Sequence, residues 1–176
     1  MIRPVVFALL ALALSAPPAA AQWLAVGRWG RDGDFRYVPP GHWMVRQQDG
    51  SVEITAEGDN HQGRIELTCG PETPAGTLRF SLYFGDALDD SALAEAEPRR
   101  QTVTFAIDGQ RFDRVFEYRA RDRDWVAAEV LETPLLDAFA WGSRLELLNK
   151  EGERITAYAL NGSGAARSAV RRACGL

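Results

Sequence analysis

The stretch TVTFAIDGQ, residues 102–110, decides the predicted fold class. Val103, Phe105 and Ile107 alternate with smaller or polar residues, which is the period of two expected for a strand with one buried face. Asp108-Gly109 follows directly, and Asp-Gly is a preferred pair in tight turns between antiparallel strands. The stretch therefore predicts a strand that continues into a β-hairpin.

The same two signals recur along the chain. Apolar residues alternate with polar ones at 65–69, 78–84 and 155–159, and further hairpin turns are predicted at 48–51 and 150–153. The sequence shows no regular alternation of strands and helices of the kind that builds a parallel sheet. The fold is therefore predicted to be mainly β, either an antiparallel β-sandwich or a partly open barrel.

Two short helices are expected to interrupt the strands. A Thr-Pro pair predicts a helix near 134–140, because proline is favoured in the first helical turn. Ser163 is a suitable N-cap for a C-terminal helix near 164–173. The apolar face of this second helix has the spacing i, i+4, i+8 and comprises Ala166, Val170 and Cys174.

The first 21 residues have the features of a cleaved signal peptide. Arg3 precedes an uninterrupted apolar run of ten residues, 5–14, which is too short to span a bilayer. Small residues at 19–21 then predict cleavage between Ala21 and Gln22, although an uncleaved anchor is the alternative. The mature chain, 22–176, has the length of a single domain. It has no further run long enough for a membrane span, and no cysteine follows the cleavage site to carry a lipid.

The chain has two cysteines, and export makes a disulfide between them the expected state. Cys69 falls on the inward face of a predicted strand, and Cys174 on the apolar face of the last helix. A Cys69–Cys174 bond would join the end of the chain to the sheet.

Charge and residue content argue against several functions. The formal net charge of −4 does not favour a nucleic acid or an anionic membrane as partner. No serine lies in a Gly-x-Ser-x-Gly motif, and the only histidines are His42 and His61, so a serine-hydrolase triad is not expected. The loop Asp59-Asn60-His61 supplies one or two possible metal ligands, but a solvated loop is the favoured interpretation. The acidic segment 86–97 is read as a solvated loop, with a calcium site as its alternative. No catalytic residue, metal or cofactor is predicted.

Aromatic residues are concentrated near the start of the mature chain, with arginines between them. Exposed, they would form a platform on which a partner or a sugar could stack; buried, they would belong to the core. The core is the favoured interpretation, but any ligand or partner surface is expected here. The residues of this candidate surface are Trp23, Trp29, Arg36, Tyr37, His42 and Trp43.

The order of elements in the second half resembles that of a known family. VTFAIDGQ, PLLDAFAWG, SRLELL and ITAYALNGS are followed by a small-residue helix that ends in cysteine. This order, and the tail from Leu160 to Cys174, are similar to small periplasmic proteins of alphaproteobacteria, the invasion-associated locus B family. The resemblance implies a β-rich periplasmic module and carries over no catalytic residues.

Together these features predict a non-enzymatic periplasmic domain that binds a protein or an envelope component. The alternative is a domain that binds a small ligand or carbohydrate through the aromatic and arginine surface. The oligomeric state is left open.

Overall fold

A computed structural model describes residues 22–26, 40–83, 85–88 and 99–176 of the chain. Ten strands form one antiparallel sheet, in the order β1-β2-β3-β4-β5-β8-β7-β6-β9-β10. The sheet curls into a half-barrel, so the partly open barrel, rather than the sandwich, is the predicted architecture that the structure shows. The strands are β1 (Gln22–Val26), β2 (Trp43–Gln48), β3 (Ser51–Glu57), β4 (Arg64–Gly70), β5 (Thr73–Ser81), β6 (Arg100–Ile107), β7 (Gln110–Arg119), β8 (Asp124–Ala128), β9 (Arg144–Leu148) and β10 (Arg154–Ala159).

The three predicted tight hairpins are confirmed, and they join β2 to β3, β6 to β7 and β9 to β10. In the β6–β7 turn, Asp108 has φ 45° and Gly109 has φ 90°. Two successive left-handed residues match the right-handed twist of an antiparallel pair, and aspartate and glycine tolerate that conformation best. Asp49 and Gly50 take the same conformation in the β2–β3 turn, with φ values of 50° and 77°.

The inner face of the sheet carries a row of apolar side chains that runs across five neighbouring strands. Strand register places the members of this row side by side, and each is at most 3% exposed. They are Trp43, Ala56, Ile65, Phe80 and Trp125. Removing such a row from water is the main source of stability of a domain of this size.

The outer face of the sheet carries charges that pair across neighbouring strands. Three arginines each lie opposite a glutamate in the strand register, which is the arrangement that stabilises a solvated sheet face. The pairs, with their nitrogen–oxygen distances, are Arg46–Glu53 at 3.7 Å, Arg79–Glu66 at 3.4 Å and Arg100–Glu117 at 2.9 Å.

Two helices pack together, and the second lies against β2 to β5. α1 (Thr133–Trp141) and α2 (Ser163–Cys174) confirm the predicted helices. α2 buries Ser163, Ala166, Ala169, Val170 and Cys174, which includes the predicted apolar face. Within the described residues, no helix has both the length and the apolar character needed to cross a membrane.

Ser163 does not cap α2 as predicted, because Gly162 occupies the N-cap position with a left-handed backbone. The Ser163 hydroxyl lies instead in the core. It is within hydrogen-bond distance of the carbonyl oxygens of Phe139, at 2.6 Å, and Leu160, at 2.7 Å. This serine therefore links the start of α2 to the last turn of α1.

The predicted Cys69–Cys174 disulfide is present, and it joins β4 to the last residue of α2. Their Cα atoms are 5.9 Å apart, a normal separation for a bridged pair. The bond attaches the C-terminal helix to the inner face of the sheet.

Candidate functional site

The aromatic surface predicted near the start of the mature chain is contradicted at Trp43. This side chain is 1% exposed, and its indole N–H donates to the carbonyl oxygen of Ala159 at 2.7 Å. Its ring meets Phe139 edge to face, with centroids 4.6 Å apart. Trp43 therefore belongs to the core, which confirms the favoured interpretation of this residue. Its place in the alternative contact surface is wrong, because Ala159 of β10 and the Phe139 ring of α1 lie against it.

The other members of that predicted surface are only partly described. His42 lies next to Trp43 and is half-buried. The structure gives the backbone of Trp23, in β1, but not its side-chain environment. Trp29, Arg36 and Tyr37 lie outside the described residues, as does most of the acidic segment 86–97. Their predicted roles stay predictions.

A different tryptophan is exposed. Trp141, the last residue of α1, leaves 83% of its surface in contact with solvent. The helix buries Leu135, Leu136 and Ala138 against the core, and Trp141 lies off that apolar face. Because burial of a tryptophan releases a large apolar area from water, an exposed one is a strong potential anchor for a partner.

Gly142 fixes the chain directly after Trp141. Its N–H donates to the Ala138 carbonyl oxygen at 2.8 Å and ends the helix. A Cβ atom at this position would lie 2.5 Å from the Ile107 side chain and 2.7 Å from the Ala138 oxygen. Only glycine fits this close approach, so the end of α1 is held against the β6–β7 hairpin.

A groove of about 280 Å³ lies beside Trp141, between α1 and that hairpin. The lining of the groove combines apolar and polar side chains. The groove is lined by Ile107, Asp108, Gln110, Pro134, Asp137, Ala138, Trp141 and Gly142, and we call it the Trp141 groove.

Asp108 is held in place at the rim of the groove. Its carboxylate accepts the Ser143 N–H at 2.7 Å and the Ser143 hydroxyl at 2.8 Å. The backbone N–H of Ser143 and then its hydroxyl hold the pKa of Asp108 below its ordinary value, since both bonds favour the ionised carboxylate. Asp108 is therefore a fixed negative charge at neutral pH.

The second carboxylate of the groove is already paired. Asp137 makes an ion pair with Arg167 of α2. Among the ion pairs of the described ranges, none includes Asp108. The groove thus presents one uncompensated negative charge next to an exposed indole ring.

Asp124 on β8 forms another cluster of charges, and its role there is structural. This residue is fully buried, and both Arg79 and Arg119 bond its carboxylate, Arg119 at 2.8 and 2.9 Å. Burial raises the pKa of Asp124, but the hydrogen bonds and charges of the two arginines outweigh burial and hold this pKa below its ordinary value. With its oxygens engaged by two cations, Asp124 is not available to a ligand.

The apolar cavity beneath α1, in the described part of the molecule, is too small for a ligand. A cavity of about 30 Å³ lies between the sheet and α1, and it is walled by apolar side chains apart from Arg167. A cavity this size holds about one water molecule. In the described part of the chain, no group of three or more His, Cys, Asp or Glu side chains is close enough to hold a metal ion.

Comparisons with protein-family models, curated protein sequences and solved structures give no match. The resemblance to the invasion-associated locus B family therefore stays a prediction. The function has to be inferred from the geometry and chemistry of the site itself.

Proposed function

We propose that the protein is an exported, non-enzymatic domain of the periplasm that binds another protein or an envelope component through the Trp141 groove. The observation that carries this proposal is the 83% exposure of Trp141 on a rigid helix end. Complete burial of a tryptophan removes roughly 150–250 Å² from water. At about 25 cal/mol per Å² this burial stabilises a complex by up to roughly 4–6 kcal/mol before the costs of association.

Rigidity supports the same proposal. The two hydrogen bonds between Asp108 and Ser143 and the close packing of Gly142 hold the groove before any partner arrives. A preorganised surface loses little conformational entropy on binding, so more of the burial energy is retained in the affinity.

The state of Asp108 does not suit a general acid or base. A general acid or base works best with a pKa near the ambient pH. The lowered pKa of Asp108 moves this group further from that range. A fixed, ionised carboxylate suits recognition of a partner.

Export is part of the proposal. The sequence 1–21 has the pattern of a signal peptide, and a disulfide is stable in an oxidising compartment. Cleavage between Ala21 and Gln22 would leave every described strand intact. Amino-terminal sequencing of the protein from a periplasmic fraction should begin at Gln22, and a first residue within 1–20 would contradict cleavage at this bond.

The binding role is tested with the mature domain as bait in periplasmic extract. Val115 provides a matched control, because it is another large apolar residue, 58% exposed, on β7. A partner of the groove should be captured by the wild type and by Val115→Ala, and lost with Trp141→Ala. Capture that survives Trp141→Ala unchanged would refute the groove as the binding site.

A further inference from the structure

We infer that the Trp141 groove accepts a basic side chain, arginine or lysine, from a partner polypeptide, with its cation over the indole ring and bonded to Asp108. This inference rests on the proposed binding function and names the chemistry of the partner. Three features of the groove support it independently of one another.

The first feature is the uncompensated charge of Asp108. Asp137, the other carboxylate of the groove, already has a cationic partner in Arg167. Each Asp108 oxygen accepts one bond from Ser143, and the backbone N–H of Arg144 also favours the ionised carboxylate. A carboxylate has about four acceptor positions, so it can still accept from an incoming cation that balances its charge.

The second feature is the exposed ring of Trp141. The face of an aromatic ring is negative, and tryptophan attracts a cation more strongly than tyrosine or phenylalanine. Asp108 and Trp141 line the same groove, and we infer that one cationic group reaches both. Arginine suits this combination best, because its planar guanidinium stacks on rings and bonds carboxylates with two N–H groups.

The third feature is the apolar part of the groove lining. It comprises the exposed Pro134 and, beneath the surface, the buried Ile107 and Ala138. Arginine and lysine carry an apolar stem below the charged head, and they bury that stem along apolar surfaces. The groove therefore matches both parts of a basic side chain.

The test uses the mature domain, labelled with ¹⁵N, and a probe peptide, acetyl-Gly-Gly-Arg-Gly-Gly-amide. The Trp141 indole N–H resonance, assigned from its absence in Trp141→Phe, reports binding. The matched probe replaces arginine with citrulline, which keeps the shape and removes the charge. We expect saturable shifts with the arginine peptide, about three- to thirtyfold weaker binding of the citrulline peptide, and weaker arginine binding at high salt.

Asp108→Asn tests the carboxylate, because asparagine retains an acceptor for Ser143 and removes the charge. The matched control is Asp49→Asn, since Asp49 occupies the corresponding place in the β2–β3 Asp-Gly turn. Asp108→Asn should weaken binding of the arginine peptide by about two- to fivefold, the range for a solvent-exposed ion pair, and Asp49→Asn should leave it unchanged. Equal binding of the citrulline and arginine peptides would overturn the inference, as would a saturable shift with tri-N-acetylchitotriose and none with arginine.

The bait experiment separates this inference from the proposed function. If Trp141→Ala abolishes capture but the arginine peptide does not bind, the binding role stands and the basic side chain is wrong. If the peptide binds but capture does not depend on Trp141, the groove recognises a cation and the proposed binding role is wrong. If both experiments are negative, both proposals are overturned.

Discussion

Removing the Cys69–Cys174 bond should lower stability more than any single surface change. The two residues are 105 positions apart, so the bond closes a loop that spans most of the mature chain. Loop-closure entropy for that length corresponds to about 5 kcal/mol of unfolding free energy. In a domain of this size each 1 kcal/mol corresponds to roughly 2–4 °C, which gives an expected fall in melting temperature of about 10–20 °C.

The assay is thermal unfolding of four samples, monitored by circular dichroism. These are the oxidised wild type, the wild type in reductant, Cys174→Ala, and the double variant with Cys69→Ala. The reduced wild type retains both sulfur atoms and isolates the effect of the covalent bond. Because one bond is lost in each case, the last three samples should melt close together and well below the first.

Two outcomes would refute this reasoning. An unchanged melting temperature on reduction would mean that the bond does not constrain the unfolded chain. If the double variant lowers the melting temperature by twice as much as Cys174→Ala does, the two side chains act independently rather than as a bonded pair.

Three further changes test other parts of the structure. Asp124→Asn should lower the free energy of unfolding at pH 7 by about 1–3 kcal/mol, because it removes charge-assisted hydrogen bonds while the two arginines, each 44% exposed, stay hydrated. Because the pKa of Asp124 is lowered in the fold, its carboxylate stabilises the protein above the unfolded pKa, near 4, and this stabilisation is lost as pH falls through the folded pKa. In urea unfolding at several pH values, the difference in unfolding free energy between wild type and Asp124→Asn should therefore shrink in acid. A difference that stays constant with pH would contradict this origin. Gly63→Ala should lower stability by about 1–3 kcal/mol, because φ is 84° and the new Cβ would lie 2.4 Å from the Phe80 ring; an unchanged urea midpoint would show that the ring moves aside freely. Trp141→Ala should change unfolding free energy by less than about 0.5 kcal/mol, since the side chain is 83% exposed, and a larger loss would assign it a structural role.

The hairpins and the disulfide could be predicted from sequence because their signals are local. Alternation at 102–107 and the Asp-Gly pair at 108–109 specify β6 and its turn with no reference to the rest of the chain. The disulfide could be predicted because the chain has only two cysteines, one on the inward face of a predicted strand and one on the apolar face of a predicted helix.

Contacts between distant segments have no local signal. The sequence favoured a core position for the N-terminal aromatic residues, and Trp43 is buried, but its bond to Ala159, 116 residues away in sequence, could not be predicted. Alternation across 78–84 predicted one strand, but β5 ends at Ser81 because Leu82 adopts a left-handed backbone with φ 56°.

The Trp141 groove was missed for the same reason. Asp108 lies in a hairpin turn and Ser143 follows a helix, 35 residues later, and only the fold brings them into contact. One signal was available, since Trp141 is two positions beyond Phe139 and so cannot share the buried face of a short helix.

The central claim is that Trp141 contacts a partner in the cell, and photo-cross-linking from this position tests it most directly. A benzophenone amino acid is placed at 141 or, as control, at the exposed position 115, in the full chain of residues 1–176. We expect a discrete adduct of higher mass on irradiation from position 141 and none from position 115. Equal labelling from both positions, or no adduct from 141, would contradict the claim.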